Sequence, residues 1–187
     1  MRASAICKNT PPPQKHFFHH TPDRRTIVGM PESLPHKPRG TRALRRGRYS
    51  GSNNIYHVTT VTRGRKPIFK ELAYGRILVD ALKQESSRNC KTLCFVVMPD
   101  HLHWLVQLHG AATLTTCVNR VKSQSARRIN VRRATTGSMW QKGFHDHALR
   151  RDEDMVAIAR YIIANPVRAG LVPSVRDYPL WDAVWLR

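Results

Sequence analysis

Two histidines separated by a single residue are the part of this sequence best suited to chemistry. His101 and His103 flank Leu102 within the apolar segment Val96–Val106, which is typical of two β-strands joined by a turn. Successive side chains point to opposite faces of a strand, so we expect both imidazoles on one face and Leu102 on the other. Two imidazoles in this arrangement can hold one divalent cation. The alternative is that both are ordinary polar side chains facing solvent.

A tyrosine and an asparagine near the C-terminal end form a second candidate pair. Tyr161 and Asn165 are four residues apart in a segment that predicts the last helix, which would place them on one helical face. A phenolic oxygen can attack a metal-activated phosphodiester and form a covalent phosphotyrosine. The amide oxygen of Asn165 can serve the same cation, and an oxygen ligand beside two imidazoles favours Mg²⁺ or Mn²⁺. On spacing alone, such a pair is usually packing plus a helix cap.

The charge of the chain predicts a polyanionic partner. Lysine and arginine number 32 against 12 acidic residues in 187, giving a net charge of +20. Nucleic acid is the partner that this excess indicates. No apolar run approaches the roughly 20 residues of a membrane-spanning helix, and the first residues do not resemble a signal peptide. The four cysteines lack the spacing of a disulfide framework, which favours a reducing cytoplasm. Cys90 and Cys94 have no second cysteine pair and do not indicate a zinc site.

Apolar periodicity predicts the elements that must position these residues. We expect strands at 55–62, 92–98, 101–108 and 140–149, and helices at 69–86, 114–130 and from an N-cap at Asp152 to about 164. This order predicts a ferredoxin-like α+β fold, an antiparallel sheet with helices packed mainly on one face and the tyrosine on the last main helix. The composition predicts that residues 1–44 form a disordered basic extension and that residues 45–187 form the domain. A second hypothesis is that translation begins at Met30.

Five motifs together resemble a known family. They are Arg45-Arg46-Gly47-Arg48, the segment from His57 to Phe69, Val97 to Trp104, Trp140 to His147, and Tyr161 to Val172. In this order they resemble the REP-associated tyrosine transposases, relatives of the single-strand insertion-sequence transposases in the HUH endonuclease superfamily. The resemblance covers roughly residues 45–180.

The resemblance implies a metal-dependent enzyme that cleaves and rejoins single-stranded DNA at hairpin-forming repeats. His101 and His103 would bind Mg²⁺ or Mn²⁺, with Asn165 as a third ligand, and Tyr161 would be the nucleophile. Its attack would leave a 5′-phosphotyrosyl enzyme and a free 3′-hydroxyl, so that no ATP is needed. The enzyme would act in the cytoplasm at the nucleoid, as a monomer or a homodimer.

Basic residues and one tryptophan are the candidates for contact with DNA. Phosphate contacts are predicted for the basic residues of the motifs and of the second helix, base stacking for Trp140, and bidentate phosphate binding for Arg168. The alternatives are a solvated charged face and a core or rim tryptophan. The candidates are Arg45, Arg46, Arg48, Arg63, Arg65, Lys66, Arg127, Arg128, Trp140, Lys142 and Arg168.

Two other function classes compete with a transposase. A domesticated relative would bind a DNA or RNA hairpin without cutting it, and the motifs alone do not distinguish this case. A metal-dependent hydrolase of small molecules would not explain the charge, and the sequence has no paired carboxylates or nucleophilic Ser or Cys constellation for it. The low acidic content also argues against a two-metal carboxylate nuclease. The target sequence and the choice of metal stay open.

Overall fold

The computed structural model describes residues 53–150 and 153–185 and has an α+β fold. Its antiparallel sheet has the strand order β4-β1-β3-β2-β5. The strands are β1 (Ile55–Val61), β2 (Cys90–Met98), β3 (His101–Leu108), β4 (His145–Ala148) and β5 (Trp181–Ala183). The helices are α1 (Leu72–Ser86), α2 (Leu114–Arg132), α3 (Met155–Ile163) and the short α4 (Asn165–Arg168). The predicted α+β class with an antiparallel sheet is confirmed.

Each face of the sheet buries its own hydrophobic cluster. α1 and α2 pack on the face that carries Leu102 and Trp104, which are each 1% exposed. α3 packs on the opposite face against Leu105 and Met98, which alternate with those residues along the strands. Two long helices thus share one face, as the pattern predicted, and α3 covers the other. Because α3 lies on the face of His101 and His103, the fold places the two candidate motifs on one side of the sheet.

The strand predicted over residues 140–149 is shorter than expected. Only His145–Ala148 pairs with β1, and Trp140 contributes a single bridge to Thr62. Gly143 has a φ of +77°, a left-handed conformation that interrupts extended backbone between these two pairings. β5 was not predicted, because three residues carry too little periodicity to be distinguished from a loop.

The predicted start of the last helix is also corrected. The N-cap is Asp154 rather than Asp152, which lies outside the described residues together with the predicted extension 1–44. The Asp154 carboxylate accepts hydrogen bonds from the backbone N–H groups of Val156 and Ala157 at 2.9 and 3.0 Å. These are the second and third positions of the helix, where an N-cap side chain satisfies free donors. Among the described residues, no helix has both the length and the apolar character needed to cross a membrane.

A glycine lets the C-terminal segment pack closely against α1. A Cβ added at Gly75 would overlap Leu180 Cδ1 and lie 3.2 Å from Leu180 Cγ. Leu180 is 4% exposed, and its carbonyl accepts a hydrogen bond of 2.9 Å from the backbone N–H of Val97 in β2. The segment that leads into β5 is therefore held between α1 and the sheet.

We predict that Gly75→Ala destabilises the protein through Leu180. The overlap should lower the free energy of unfolding by about 1–3 kcal/mol. The higher helix propensity of alanine should offset about 1 kcal/mol of this loss. In a Leu180→Ala background the overlap is removed, so the same change should stabilise by up to about 1 kcal/mol. Urea unfolding of the four variants measures both effects. An equal destabilisation by Gly75→Ala in both backgrounds would contradict the proposed contact.

Candidate active site

The two histidines of β3 converge at their ring nitrogens. His101 Nε2 and His103 Nε2 are 3.2 Å apart, and the rings meet edge to face with centroids 4.8 Å apart. Two nitrogens that each bind one ion at about 2.1 Å are at most roughly 4.2 Å apart. The observed separation therefore fits two ligands of one cation. The expectation that both imidazoles share a face is confirmed by the strand register, with Leu102 buried on the other side.

The second nitrogen of each ring is engaged by a neighbouring side chain. His101 Nδ1 pairs with the carboxylate of Asp100, which also accepts a hydrogen bond from Arg65 Nη1 at 3.0 Å. His103 Nδ1 lies 3.1 Å from Thr59 Oγ1 and 3.2 Å from His57 Nε2. Histidines that bind metals typically donate their other ring N–H to such a partner, which fixes the tautomer and the ring orientation. Both rings are thus oriented so that their Nε2 atoms meet.

Burial keeps the interior histidines neutral. Burial, reinforced by the positive potential of His57, His101 and Arg168, lowers the pKa of His103 to about 3, although Asp100 acts in the opposite direction. Burial, and to a smaller extent the electrostatic effect of His147, lowers the pKa of His57 to about 4. At neutral pH both rings are therefore uncharged, which is the form that binds a cation.

The carboxylate of Asp100 stays ionised because of the side chains beside it. Its burial acts to raise the pKa, but hydrogen bonds and electrostatic attraction from His101 and Arg65 outweigh burial and hold the pKa below its usual value. Asp100 therefore remains an acceptor for the His101 Nδ1–H. A His101 ring with its single proton on Nδ1 directs its Nε2 lone pair at His103.

Two proton arrangements are possible at these histidines. In one, His57 Nε2–H donates to His103 Nδ1 and His103 Nε2–H donates to His101 Nε2, a continuous chain of hydrogen bonds. In the other, His103 carries its proton on Nδ1 and donates to Thr59 Oγ1. Both Nε2 lone pairs then face each other, an unfavourable contact unless a cation lies between them. The same residues are therefore compatible with an empty and a cation-bound site.

Within the described residues, no acidic, cysteine or further histidine side chain completes a metal site with this pair. Residues 53–150 and 153–185 contain no group of three or more of these side chains arranged to hold a metal ion. Among the described residues, His101 and His103 would thus supply two positions of a metal site. The remainder would be filled by an amide oxygen, water or a bound phosphate.

The end of α3 carries the candidate nucleophile and is capped by side chains. Pro166 has no N–H to donate to the Ile162 carbonyl, and Asn165 Nδ2 donates to that oxygen instead at 2.7 Å. Arg168 Nη1 donates to the Tyr161 carbonyl at 2.7 Å, and its Nη2 donates to Asn165 Oδ1 at 2.6 Å. The guanidinium carbon lies 3.7 Å from the centre of the Tyr161 ring, a cation–π contact. The ring is thereby covered on one face, while the residue remains 49% exposed.

The charge of Arg168 acts on both the tyrosine and the histidine pair. Ile162 and Ile163 anchor α3 on the sheet face that contains the histidines. The charge of Arg168 contributes to the lowered pKa of His103, and the same guanidinium stacks on Tyr161. The candidate nucleophile and the candidate ligands therefore have a common cationic neighbour.

The structure places Asn165 differently from the predicted shared helical face. α3 ends at Ile163 and Asn165 begins α4, so the two candidates lie on successive helices. The Asn165 amide oxygen accepts from Arg168, and its amide nitrogen donates to a backbone carbonyl. The Asn165 oxygen that would serve as a third ligand therefore already accepts a hydrogen bond from Arg168.

The predicted DNA contacts fall into three groups. Arg63, Lys66, Arg127 and Lys142 are exposed. Arg65 pairs with Asp100 and Arg128 with Asp80, each at 3.0 Å, while Arg168 donates from both Nη atoms to acceptors in α3 and α4. Arg45, Arg46 and Arg48 lie outside the described residues.

The prediction that Trp140 stacks on a base is wrong. Trp140 is 4% exposed and belongs to the core beneath α1 and α2. Its ring centre lies 5.3 Å from that of Phe69, and its Nε1–H donates to Ser125 Oγ at 3.2 Å. Because the indole N–H of Trp140 has this hydrogen-bond partner, the core can hold the whole side chain.

The sequence did not single out the side chains that orient the histidines. Thr59 lies opposite His103 in the β1–β3 register, and His57 approaches the same ring from the preceding position on that face. Asp100 precedes His101 in the turn. Alternation along β1 could have placed His57 and Thr59 on one face, but only the register brings them to His103.

Comparisons with known proteins identify the family of this chain. Residues 50–165 match the family model described as "Transposase IS200 like". A predicted REP-associated tyrosine transposase of Haemophilus influenzae is 32% identical over 99 residues, 48% of this chain and 56% of that protein. This chain thus spans little more than half the length of that relative. The REP-associated tyrosine transposase of Escherichia coli K12 is 26% identical over 133 residues, 71% of this chain and 78% of the relative.

A solved structure shows the same fold. It is a REP-associated tyrosine transposase bound to a REP hairpin, with a TM-score of 0.62 and 24% identity over 72% of this chain and 79% of that one. The match of the family model extends from β1 through the histidine pair to Asn165 at the end of the tyrosine-bearing segment. The chain therefore belongs to the family of IS200-like transposases.

Proposed function

We propose that this protein cleaves and rejoins single-stranded DNA at hairpin-forming repeats, with Tyr161 as the nucleophile and a divalent cation at His101 and His103. The observation that carries the proposal is the convergence of the two Nε2 atoms at 3.2 Å on the sheet face covered by the tyrosine-bearing helix. A protein that acts in this way would work in the cytoplasm at the nucleoid. The proposal also includes Mg²⁺ or Mn²⁺ as the cation.

Nucleic acid as the substrate is supported by charge and by relatives. The chain carries a net charge of +20, far more than solubility requires. The solved relative of the same fold is bound to a REP hairpin. Phosphates account for most of the affinity of basic proteins for DNA, so this excess charge suits a DNA substrate.

The donor set fits a divalent cation that is shared with the substrate. His101 and His103 would hold it, with Asn165 proposed as the third ligand after release from Arg168. When bound, such an ion supplies Lewis-acid polarisation of a phosphate oxygen. Asp100, Thr59 and His57 would keep both rings in the orientation that this role needs.

The cleavage step conserves the number of phosphate ester bonds. The Tyr161 hydroxyl oxygen forms a bond to the scissile phosphorus while the bond from phosphorus to the 3′ oxygen breaks. The phenol loses its proton and the departing 3′ oxygen gains one. The reverse attack by a 3′-hydroxyl rejoins a strand and frees the tyrosine, so no external energy source is required.

Arg168 would serve this step as a positioning and charge-stabilising residue. Its guanidinium restrains the Tyr161 ring by stacking on one face, while the hydroxyl stays accessible because the residue is 49% exposed. The positive charge of Arg168 is close to the Tyr161 ring and would offset part of the negative charge on a phosphate brought to Tyr161.

We predict that Tyr161→Phe abolishes covalent attachment to DNA but not DNA binding. Full-length protein would be incubated with labelled hairpin DNA carrying single-stranded flanks and Mn²⁺, then separated on a denaturing gel. The native protein should give a labelled protein band, and Tyr161→Phe should give none because the attacking hydroxyl is absent. Tyr74→Phe, which removes a hydroxyl from a half-buried tyrosine of α1, is the matched control and should keep the band.

The binding measurement separates the remaining outcomes. Fluorescence anisotropy should give similar affinities for the native protein and Tyr161→Phe. Tight binding by the native protein without any covalent band, across a broad set of hairpins and both metals, would identify a non-cleaving hairpin-binding protein instead. A band that persists in Tyr161→Phe would assign the nucleophile elsewhere.

We predict that Asp100→Asn weakens cation binding although Asp100 is not itself a ligand. Loss of the carboxylate partner of His101 should lower the affinity for Mn²⁺ about 10–100-fold. Calorimetric titration of the protein with Mn²⁺, without DNA, measures this effect. Asp80→Asn, which alters a carboxylate paired with Arg128 on α1, should leave the affinity unchanged. Unchanged affinity in both His101→Ala and His103→Ala would overturn the proposed cation site.

A further inference from the structure

An open groove lies on the surface where α1 packs against α2. We call it the arginine groove, and its volume is about 380 Å³. It is lined by Ile77 of α1 and by Arg127, Arg128, Val131 and Arg132 of α2. On α2 these residues form two pairs spaced four apart, so their side chains lie side by side on one face of the helix. Because α1 and α2 cover the face of the sheet opposite the histidine pair, the groove is separate from the candidate active site.

Part of the arginine groove is apolar. Val131 is 78% exposed, the highest value among the large hydrophobic side chains in the described part of the chain. A single exposed valine is ordinary on a protein surface. Here, however, Ile77 lines the same groove together with three arginines. Apolar contact area combined with arginine is typical of protein–protein interfaces.

The charges of the arginine groove are suited to carboxylates. Arg128 Nη2 donates to Asp80 Oδ2 at 3.0 Å, so one carboxylate of the chain already pairs here. Neither Arg127 nor Arg132 has an ion pair or a side-chain hydrogen bond within residues 53–150 and 153–185. Arg128 and Arg132 are four apart and repel each other, which further negative charge would relieve. The planar guanidinium matches a carboxylate with two parallel hydrogen bonds.

We propose that the arginine groove docks an acidic segment of another protein. A large apolar side chain of that segment would pack on Val131 and Ile77, and its carboxylates would pair with Arg127 and Arg132. Arginine clusters recognise acidic motifs in this way. A phosphate backbone could also pair with the arginines, but it has no apolar group to place on Val131. Charge and apolar contact together therefore favour an acidic peptide over nucleic acid.

The chain itself is poorly suited to fill the arginine groove. A second copy carries the same net charge of +20, so two copies repel each other. Residues 1–52, which precede the described part of the chain, contain Asp23 and Glu32 as their only acidic side chains. The charge balance therefore favours a different, acidic protein as the occupant.

Three fluorescent probes test this proposal on the full-length chain. The first is a short peptide of aspartate and glutamate around one central phenylalanine, and the second has serine in place of that phenylalanine. The third is a single-stranded oligonucleotide of the same net charge, which tests the sequence-based prediction that Arg127 and Arg128 contact DNA. Anisotropy titrations at physiological ionic strength, where weak surface attraction is screened, give the affinity for each probe.

Valine variants separate the apolar contact from general charge attraction. Val131→Ser should weaken binding of the phenylalanine peptide about tenfold, because the apolar contact is lost. The same variant should leave the serine peptide and the oligonucleotide within about twofold of the native affinity. Val184→Ser is the matched control, an exposed valine outside the groove, and should change none of the three affinities.

Arginine variants test the pairing with carboxylates. Arg127→Gln combined with Arg132→Gln should weaken both peptides about tenfold, since two ion pairs are lost. The control combines Arg88→Gln with Arg176→Gln, which removes the same charge from exposed arginines that do not line the groove. The control should weaken the peptides by about twofold or less, through the change in net charge alone.

Three results would overturn the assignment. Equal native affinity for the two peptides would mean charge attraction alone, and no peptide binding would mean that no acidic segment docks here. A loss of oligonucleotide affinity in Val131→Ser as large as the loss for the phenylalanine peptide would assign the groove to nucleic acid. Val131→Ser should keep the covalent band of the gel assay, because the groove is separate from Tyr161 and the histidine pair. Failure of the groove and failure of the proposed function are therefore distinguishable.

Discussion

The alternation of side chains along β3 is the constraint on which the rest of the structure depends. One face of this strand must bury Leu102 and Trp104 beneath α1 and α2, and the other must present His101 and His103. A slip of one residue would exchange the two sets, moving Trp104 out of the core beneath α1 and α2 and placing the imidazoles in it. The hydrophobic core on one side thus determines where the candidate ligands lie on the other.

The histidine pair also depends on the strands beside it. β1 brings Thr59 and His57 to the Nδ1 atom of His103, and the turn before β3 brings Asp100 to His101. These contacts leave the two Nε2 atoms facing each other. Because the partners come from separate segments, the orientation of the rings belongs to the sheet as a whole and not to the His-x-His motif.

At the end of α3, side chains replace a missing backbone hydrogen bond, and one of them also contacts the candidate nucleophile. Pro166 interrupts the helix, and Asn165 and Arg168 satisfy the carbonyls that are left without partners. Arg168 then stacks on Tyr161 and adds positive potential at His103. The residues that finish the helix are therefore the same ones that surround the candidate nucleophile, which explains why a cap and an active-site role are difficult to separate from sequence.

The sequence by itself determined the α+β class, the bounds of β3, and the common face of His101 and His103, because these follow from local periodicity within single elements. It did not determine that Trp140 is buried against Ser125 and Phe69, or that Arg168 folds back onto Tyr161. Arg63 and Arg133 are 70 positions apart in the chain and line one pocket between the turn after β1 and the end of α2. Periodicity reports which way a side chain points from its own strand or helix. Which segment it meets is decided by strand register and helix packing, since those contacts join residues far apart in the chain.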